Sequence, residues 1–264
     1  MAEPAAELRG VRVLVAMDTV TLSVPALEAG AGLAAALGTR LEGLFVEDAD
    51  LVCLGGLPFA SEICAVTGAW RGLATDEIER ALRVEAARLE RLVAQAAERA
   101  RVPWSFATAR GRLVAQAVAR EAELTILGVA DRVAGGARRL ASPGRTQPAR
   151  GSLAVFFDAS PASFRALDVA GRLADALGGE LRVLVPPAGT SGDAAARDQA
   201  RSWLATEGRA GLALPLRAGE GALTDALRES RSELLVHAVP DLAQSLRALA
   251  ALVAELSCPL VIVR

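Results

Sequence analysis

An internal repeat constrains the fold of this chain more than any other feature of its sequence. Residues 12–46 align without a gap on residues 152–186. The matching pairs include Val15 with Val155, Asp18 with Asp158, Ser23 with Ser163, and Leu-Gly at 37–38 with Leu-Gly at 177–178. Each copy has a short apolar run that ends in or near Asp, a small or polar turn, an apolar periodic segment that closes at Leu-Gly, and a second apolar run. The chain therefore consists of two related halves.

Each copy of the repeat has the pattern of a strand, a helix and a second strand. Strands that are buried on both faces of a parallel sheet are near-continuous apolar runs, and glycine commonly follows the last residue of a helix. The pattern predicts an α/β fold with two tandem domains, each built from parallel strands and helices. We predict a first domain at 1–137, a linker at 138–151 and a second domain at 152–264.

The two halves differ in length at two places. After its second strand, the first half has a long irregular excursion at 47–74, which is acidic at its start and then apolar, with glycine and proline as breakers. The repeat then resumes at a smaller offset, where Gly111 corresponds to Gly221. Only the second half continues into a last helix and a last strand. We therefore expect the first domain to lack its last helix and strand.

Composition argues against several classes of partner and of metal site. The chain is 52% hydrophobic and 23% charged, with a net charge of −2, which argues against nucleic acid or an anionic membrane as the partner. Three cysteines without metal-ligand spacing and a single histidine argue against a structural metal site and a disulfide framework. The sequence begins without signal-peptide features and has no uncharged apolar run of about 18 residues, so we expect a cytoplasmic protein without a membrane span.

Four sequence features together resemble the universal stress protein family. They are the strand followed by Asp, the helix that closes at Leu-Gly, the LFVED segment after strand two, and the terminal CPLVIV segment. Because the first two features occur in both halves, the chain looks like a tandem member of the family. The resemblance implies two tandem Rossmann-like, adenine nucleotide alpha hydrolase-like domains. Each would have an open parallel sheet with strand order 3-2-1-4-5, and the domains would pair through the fifth strand. It also implies a protein without known catalysis, in a family of which some members bind ATP.

The fifth strand is expected only in the second half, from Pro259 to Val263. With no fifth strand in the first half to pair with, this strand would keep an apolar edge with free backbone hydrogen-bonding groups. We therefore predict a homodimer that forms through the edge of this strand.

Nucleotide-binding members of the family carry the motif G-x2-G-x9-G-[ST] after strand four. Its glycines let backbone N–H groups approach phosphate oxygens. In the first half, Gly128 and Ser142 match the first and last positions, whereas Asp131 and Ala141 replace the second and third glycines. A carboxylate repels phosphate, and a Cβ at a glycine position restricts the backbone. We expect the first half to retain a weakened adenine-nucleotide site.

Three further positions belong to this expected site. The resemblance gives Asp18, after strand one, a ribose or base contact, with Thr19 beside it, and it gives the backbone of Val46 a contact with adenine. Open α/β sheets bind ligands at the carboxyl ends of such strands. Alternatively, Asp18 caps its own turn, and Val46 is an ordinary valine at a strand end.

The second half carries the equivalent of this site in a degenerate form. Asp158 and Ser160 occupy the positions after its first strand. Its fourth strand leads from His237 into a short loop without glycine, which is not suited to hold a triphosphate. We therefore predict a degenerate second site at Asp158 and Ser160.

These features together predict a non-catalytic, cytoplasmic stress-response protein that acts by ligand binding and association. The expected ligand of the first half is ATP or AMP with magnesium, as the resemblance implies. The alternative is a nucleotide-free regulatory or scaffold protein. A nucleotide hydrolase is disfavoured because the sequence carries no Walker A motif and no nucleophile elbow.

Overall fold

A computed structural model describes residues 11–21, 23–64, 66–129, 152–189, 193–219 and 221–264. The first half contains β1 (Val13–Met17), α1 (Val24–Leu37), β2 (Leu41–Asp48), α2 (Ala49–Gly55), β3 (Ser61–Ile63), β4 (Trp70–Gly72), α3 (Thr75–Ala100), β5 (Trp104–Gly111), α4 (Leu113–Ala119) and β6 (Leu124–Leu127). The second half contains β7 (Ser152–Phe156), α5 (Pro161–Leu177), β8 (Glu180–Val185), α6 (Asp193–Thr206), β9 (Gly211–Pro215), α7 (Ala222–Glu229), β10 (Ser232–Ala238), α8 (Leu242–Glu255) and β11 (Leu260–Val263).

The repeated helices begin and end by the same local chemistry. Ser23 precedes α1, and its hydroxyl accepts a hydrogen bond from the Ala26 N–H; Gly38 follows the helix with φ 62°. Ser160 and Gly178 play the same two parts for α5, with φ 68° at the glycine. A serine side chain satisfies an unpaired N–H of the first turn, and glycine adopts the left-handed conformation without a Cβ penalty. The repeat therefore fixes both ends of both helices.

Nine strands form one continuous sheet in the order β5-β2-β1-β6-β11-β10-β7-β8-β9. Counted within each half from the outer edge inwards, the order is 3-2-1-4 in the first half and 3-2-1-4-5 in the second. All neighbouring strands are parallel except β6 and β11, which are antiparallel. The predicted α/β class is confirmed. In the part of the first half that the structure describes, nothing corresponds to α8 and β11.

The prediction that the strand from Pro259 to Val263 offers a free edge for a homodimer is wrong. β11 lies inside the sheet, with β10 on one side and β6 on the other, where Leu260 faces Leu127. Both edges of β11 are therefore paired within the chain. The parallel sheets predicted for the two halves join edge to edge in one sheet, because the strand that β6 lacks in its own half is supplied by the second half.

The core also joins the two halves. One face of the sheet is covered by α1, α3, α5 and α6, and α1 packs directly on α5 across the junction. The other face is covered by α4, α7 and α8, with α8 packed against α4 of the first half. None of the described helices is both long and apolar enough to cross a membrane.

The excursion at 47–74 has more regular structure than its sequence indicates. It contains the short helix α2 and an antiparallel hairpin of β3 and β4, which form a separate two-stranded sheet. Within the hairpin, Glu62 faces Arg71 and Ile63 faces Trp70.

Candidate functional site

The carboxyl ends of the two sets of parallel strands lie at opposite ends of the sheet. This follows from the antiparallel pairing of β6 with β11, since every other neighbouring pair is parallel. Asp18 follows β1 and Gly128 follows β6, so both lie at the carboxyl end of the first half. Asp158 follows β7 and lies at the other end. The two expected sites are therefore far apart in the sheet and do not share a ligand.

Asp18 holds the turn that leads from β1 to α1. Its Oδ1 accepts hydrogen bonds from the N–H of Val20 at 2.8 Å and of Thr21 at 2.7 Å. In return, the hydroxyl of Thr21 accepts a hydrogen bond from the Asp18 N–H at 3.0 Å. An aspartate that accepts bonds from the N–H groups two and three residues ahead stabilises its own turn. The structural role that the sequence left open for Asp18 is thus present.

Gly128 lies beneath this turn. Its N–H donates to the carbonyl of Ala16 at 3.3 Å, and a Cβ added to it would lie 2.0 Å from the carbonyl oxygen of Thr21. No side chain fits at that distance, so glycine is required for the turn to pack on the end of β6. This close approach gives the glycine a structural reason that is independent of any phosphate.

The other expected site residues are distributed differently. Val46 is fully buried within β2, opposite Ala109 of β5, and the strand continues beyond it to Asp48. Thr19 is partly exposed in the turn. Ser142 lies outside the described residues, as do Asp131 and Ala141. The structure brings Asp18 and Gly128 together through Thr21, whereas the side chain of Val46 belongs to the core.

A cleft of about 270 Å³ opens beside Asp18. Asp18 and Thr21 lie on one side of it, and Leu113 of α4 and Val253 of α8 contribute apolar walls. Arg112 lines the cleft as well, with a largely exposed side chain whose guanidinium lies 3.9 Å from the carboxylate of Asp50. Because α8 belongs to the second half, both halves of the chain build this cleft.

Sequence reasoning missed the cleft walls. Thr21 follows Asp18 by three residues, a spacing at which an Asp-capped turn could have been recognised. Arg112 directly follows the end of β5, which is also a strand end of the first half. The wall from α8 had no signal in the sequence, because it depends on the pairing of β11 with β6.

A second cleft, of about 360 Å³, lies between α3 and the edge strand β5. Arg83 and Glu90 of α3 and Phe106 of β5 are among its lining residues. No residue that the sequence singled out for binding lies in it.

Asp158 and Ser160 cap the turn and helix that follow β7. Asp158 Oδ1 accepts from the Ser160 N–H at 3.0 Å, and the Ser160 hydroxyl accepts from the Ser163 N–H at 3.2 Å. Burial acts to raise the pKa of Asp158, but hydrogen bonds from Ser160 and Ser163 outweigh burial and hold this pKa below its usual value. The carboxylate is therefore held in its charged form by its own turn.

His237 lies near the same end of the second half. Its ring packs edge-on against Phe156, with 5.4 Å between the centroids, and its Nδ1 has no hydrogen-bond partner among the described residues. Burial lowers the pKa of His237, and the nearby charge of Asp158 only partly opposes this. The imidazole is therefore neutral at physiological pH.

The three cysteines differ in their burial. Burial raises the pKa of Cys258 to about 12, so this thiol is not ionised at neutral pH. Cys53 and Cys64 are exposed on the excursion, and neither is among the residues that line the cleft beside Asp18. Among the described residues, no group of three or more His, Cys, Asp and Glu side chains is arranged to hold a metal ion.

Comparison with solved structures identifies the fold. A universal stress protein from Archaeoglobus fulgidus DSM 4304 matches with a TM-score of 0.56 and 13% identity, over 96% of both chains. A putative universal stress protein from Pseudomonas aeruginosa UCBPP-PA14 matches over 97% of this chain and 94% of its own, with 12% identity and a TM-score of 0.48. A universal stress protein in complex with cAMP covers 43% of this chain and 96% of its own, with 22% identity and a TM-score of 0.38.

The first of these matches spans essentially the whole of both chains, so the likeness includes both halves. No protein-family model matches this sequence, and no curated protein does. The chain has the fold of the universal stress proteins, as the sequence resemblance predicted.

Proposed function

We propose that this chain is a cytoplasmic stress-response protein that works by binding and association, without catalysis, and that its first half binds an adenine nucleotide weakly. The observation that carries this proposal is the cleft beside Asp18, at the carboxyl ends of the strands of the first half. Open α/β sheets bind their ligands at this position.

The size and lining of the cleft favour a nucleoside monophosphate over ATP. Its volume of about 270 Å³ is near the lower limit of ligand sites, which are typically about 300 Å³ or larger. The apolar side chains of Leu113 and Val253 suit the faces of a base, and the guanidinium of Arg112 suits a phosphate group. Asp18 supplies a carboxylate that can accept hydrogen bonds from ribose hydroxyls. AMP is therefore the ligand that we propose.

The same lining argues against a hydrolase. The described residues that line the cleft include no cysteine, histidine or serine, and the hydroxyl of Thr21 is bonded to the backbone of Asp18. A general base or activated nucleophile must lie within hydrogen-bond reach of the reacting group. Asp18 carries a carboxylate, but its Oδ1 already accepts hydrogen bonds from the N–H groups of Val20 and Thr21. We therefore propose binding without catalysis for this cleft.

A thermal-shift titration with AMP, ADP and ATP tests the site. A ligand that binds only the native state stabilises it by about 2.7 kcal/mol at a hundredfold excess over Kd. Ala250 lines the cleft on α8, and Ala251 follows it on the same helix outside the cleft. We expect AMP to raise the Tm of the wild type and of Ala251→Trp, and to leave the Tm of Ala250→Trp unchanged because the indole fills the cleft. A rise that survives in Ala250→Trp would contradict this site.

The alternative is a nucleotide-free scaffold, and one observation favours it. The carbonyl of Thr21 packs on Gly128, and Asp18 is engaged in its own turn, so two groups of the expected site already have structural partners. A wild-type protein whose Tm does not respond to any of the three nucleotides would support the scaffold.

A further inference from the structure

Apolar side chains are concentrated on the outside of the excursion. Six of them, which we call the hairpin surface, have exposed fractions between 41% and 93%: Leu54, Leu57, Phe59, Ile63, Val66 and Trp70. Scattered apolar residues are normal on a protein surface, but these six lie within residues 54–70 and include two aromatic side chains, a residue type that is enriched at interaction sites.

The hairpin of β3 and β4 has a charged face and an exposed apolar face. Side chains alternate between the two faces of a strand, so Ile63 and Trp70 share one face and Glu62 and Arg71 share the other. Glu62 and Arg71 form an ion pair, and Glu77 in the first turn of α3 also acts on Arg71. The charged face thus carries its own ion pair, and on the other face Ile63 and Trp70 are 54% and 71% exposed. A surface hairpin of a monomer normally turns its apolar face towards the core.

We propose that the hairpin surface binds the hairpin surface of a second copy of this chain about a two-fold axis. The exposed area supports this. With about 150 to 250 Å² for a fully exposed large side chain, the six residues expose roughly 700 Å² of apolar surface. A stable interface buries about 800 Å² on each partner. The hairpin surface of one copy thus supplies most of the area that each partner of such an interface buries, and neighbouring residues of the excursion supply the rest.

Charge also favours a second copy as the occupant. Residues 55–74 carry one acidic and one basic side chain, Glu62 and Arg71, and these pair with each other. The segment is therefore neutral, and two copies meet without the like-charge repulsion that penalises a wrong partner. A strongly charged partner, of either sign, would gain no electrostatic attraction from this neutral segment.

A second copy also supports the hairpin itself. Within the described residues, the sheet of β3 and β4 has two strands only, and an isolated two-stranded hairpin is only marginally stable. A two-fold axis brings the same surface of both copies together, so that Ile63 and Trp70 of one copy pack on the apolar face of the other. This interface uses none of the residues of the nucleotide cleft and is independent of its ligand.

Sedimentation velocity from low to high micromolar concentration tests this dimer. We expect concentration-dependent dimers of the wild type, and an association that is weaker by roughly thirtyfold or more in Ile63→Glu and in Trp70→Glu, because a central aromatic or aliphatic anchor is lost. The matched control is Val84→Glu, which places the same charge on an exposed valine of α3 outside the hairpin surface. We expect the dimer dissociation constant of Val84→Glu to equal that of the wild type.

Cross-linking with a short bismaleimide locates the interface in a fully folded chain. Cys64 is exposed at the end of β3, Cys53 is exposed on α2, and Cys258 is buried. We expect the variant Cys53→Ser to form a covalent dimer through Cys64, and Cys53→Ser with Cys64→Ser to form none. A wild type that stays monomeric at every concentration would overturn the proposal. Dimers that Ile63→Glu leaves intact, or a monomer that binds neutral lipid vesicles instead, would overturn it equally.

Discussion

Gly128 occupies a position where the backbone of another segment leaves no room for a side chain. The carbonyl oxygen of Thr21 lies 2.0 Å from the position that a Cβ would take. Since the obstacle is backbone, the whole turn from Asp18 to Thr21 must move before alanine fits. We expect Gly128→Ala to lower the free energy of unfolding by about 1 to 3 kcal/mol, as overpacking does. Urea denaturation measures this change.

Gly32 provides the control for this substitution. It lies within α1, and a Cβ there would lie 3.5 Å from a methyl group of Leu177, an ordinary contact. Alanine in place of a helical glycine stabilises by roughly 0.5 to 1 kcal/mol. We expect Gly32→Ala to be at least as stable as the wild type. Equal losses in both variants would show that the Thr21 contact has no special role.

His237 makes stability depend on pH in a known direction. Burial lowers the pKa of His237 below its ordinary value of 6.5, so the unfolded chain takes up the proton at a higher pH than the native chain does. Stability is therefore lost as the pH falls from 6.5 towards the native pKa, with a slope of at most about 1.4 kcal/mol per pH unit. Because His237 is the single histidine of the chain, no other imidazole obscures the effect.

The variant His237→Phe isolates this contribution. Its phenyl ring can pack on Phe156 and carries no titratable group. We expect the urea midpoint of the wild type to fall more between about pH 7.5 and about pH 5.5 than that of His237→Phe, since only the wild type has an imidazole to protonate. Parallel pH profiles for the two proteins would contradict a lowered native pKa.

At the scale of single residues, the sequence indicated positions better than roles. The repeat singled out Asp18 and Asp158, and both lie at strand ends of the sheet. What the sequence left open was whether these carboxylates face a ligand or their own turn, since the same Asp-turn pattern serves both. Val46 was predicted to contact adenine through its backbone. Its side chain is fully buried in the core, as side chains of continuous apolar strands commonly are.

At the scale of elements, β11 joins the two halves. Leu260 is fully buried and faces Leu127 of β6 on one side and Leu235 of β10 on the other. We expect Leu260→Ala to lower the free energy of unfolding by about 2 to 5 kcal/mol, as for other buried leucines. The control is Leu212→Ala on the edge strand β9, where the leucine is half exposed. We expect this variant to lower the free energy of unfolding by no more than about 1 kcal/mol. Similar losses would mean that β11 is not an internal strand.

The elements that repeat were predictable, and those without a counterpart were not. Ser23 and Gly38 lie at the two ends of α1, as the sequence indicates. The hairpin of β3 and β4 was missed because its strands have three residues each, too short for a period of two to be recognised. The pairing of β11 with β6 was missed because it joins residues more than 130 positions apart, which no local pattern encodes.

At the scale of the whole molecule, one sheet carries two strand-end sites of different character. The cleft beside Asp18 has a wall from α8 of the second half, so the second half completes the site of the first. The equivalent position at Asp158 is occupied by capping hydrogen bonds and a buried neutral histidine. Among the residues that the structure describes, the cleft beside Asp18 is therefore the strand-end position that we propose for a ligand.

Calorimetric titration with AMP tests this account most directly. Asp18→Asn keeps the side-chain oxygen that caps the turn and removes the charge, and Asp158→Asn makes the same change at the matching position of the second half. We expect saturable binding of AMP to the wild type and to Asp158→Asn with equal Kd, and binding roughly tenfold weaker in Asp18→Asn, as for a lost hydrogen bond to a charged group. A wild type that binds no AMP would contradict a nucleotide site in the first half. The site would be contradicted equally if Asp158→Asn weakened AMP binding as much as Asp18→Asn does.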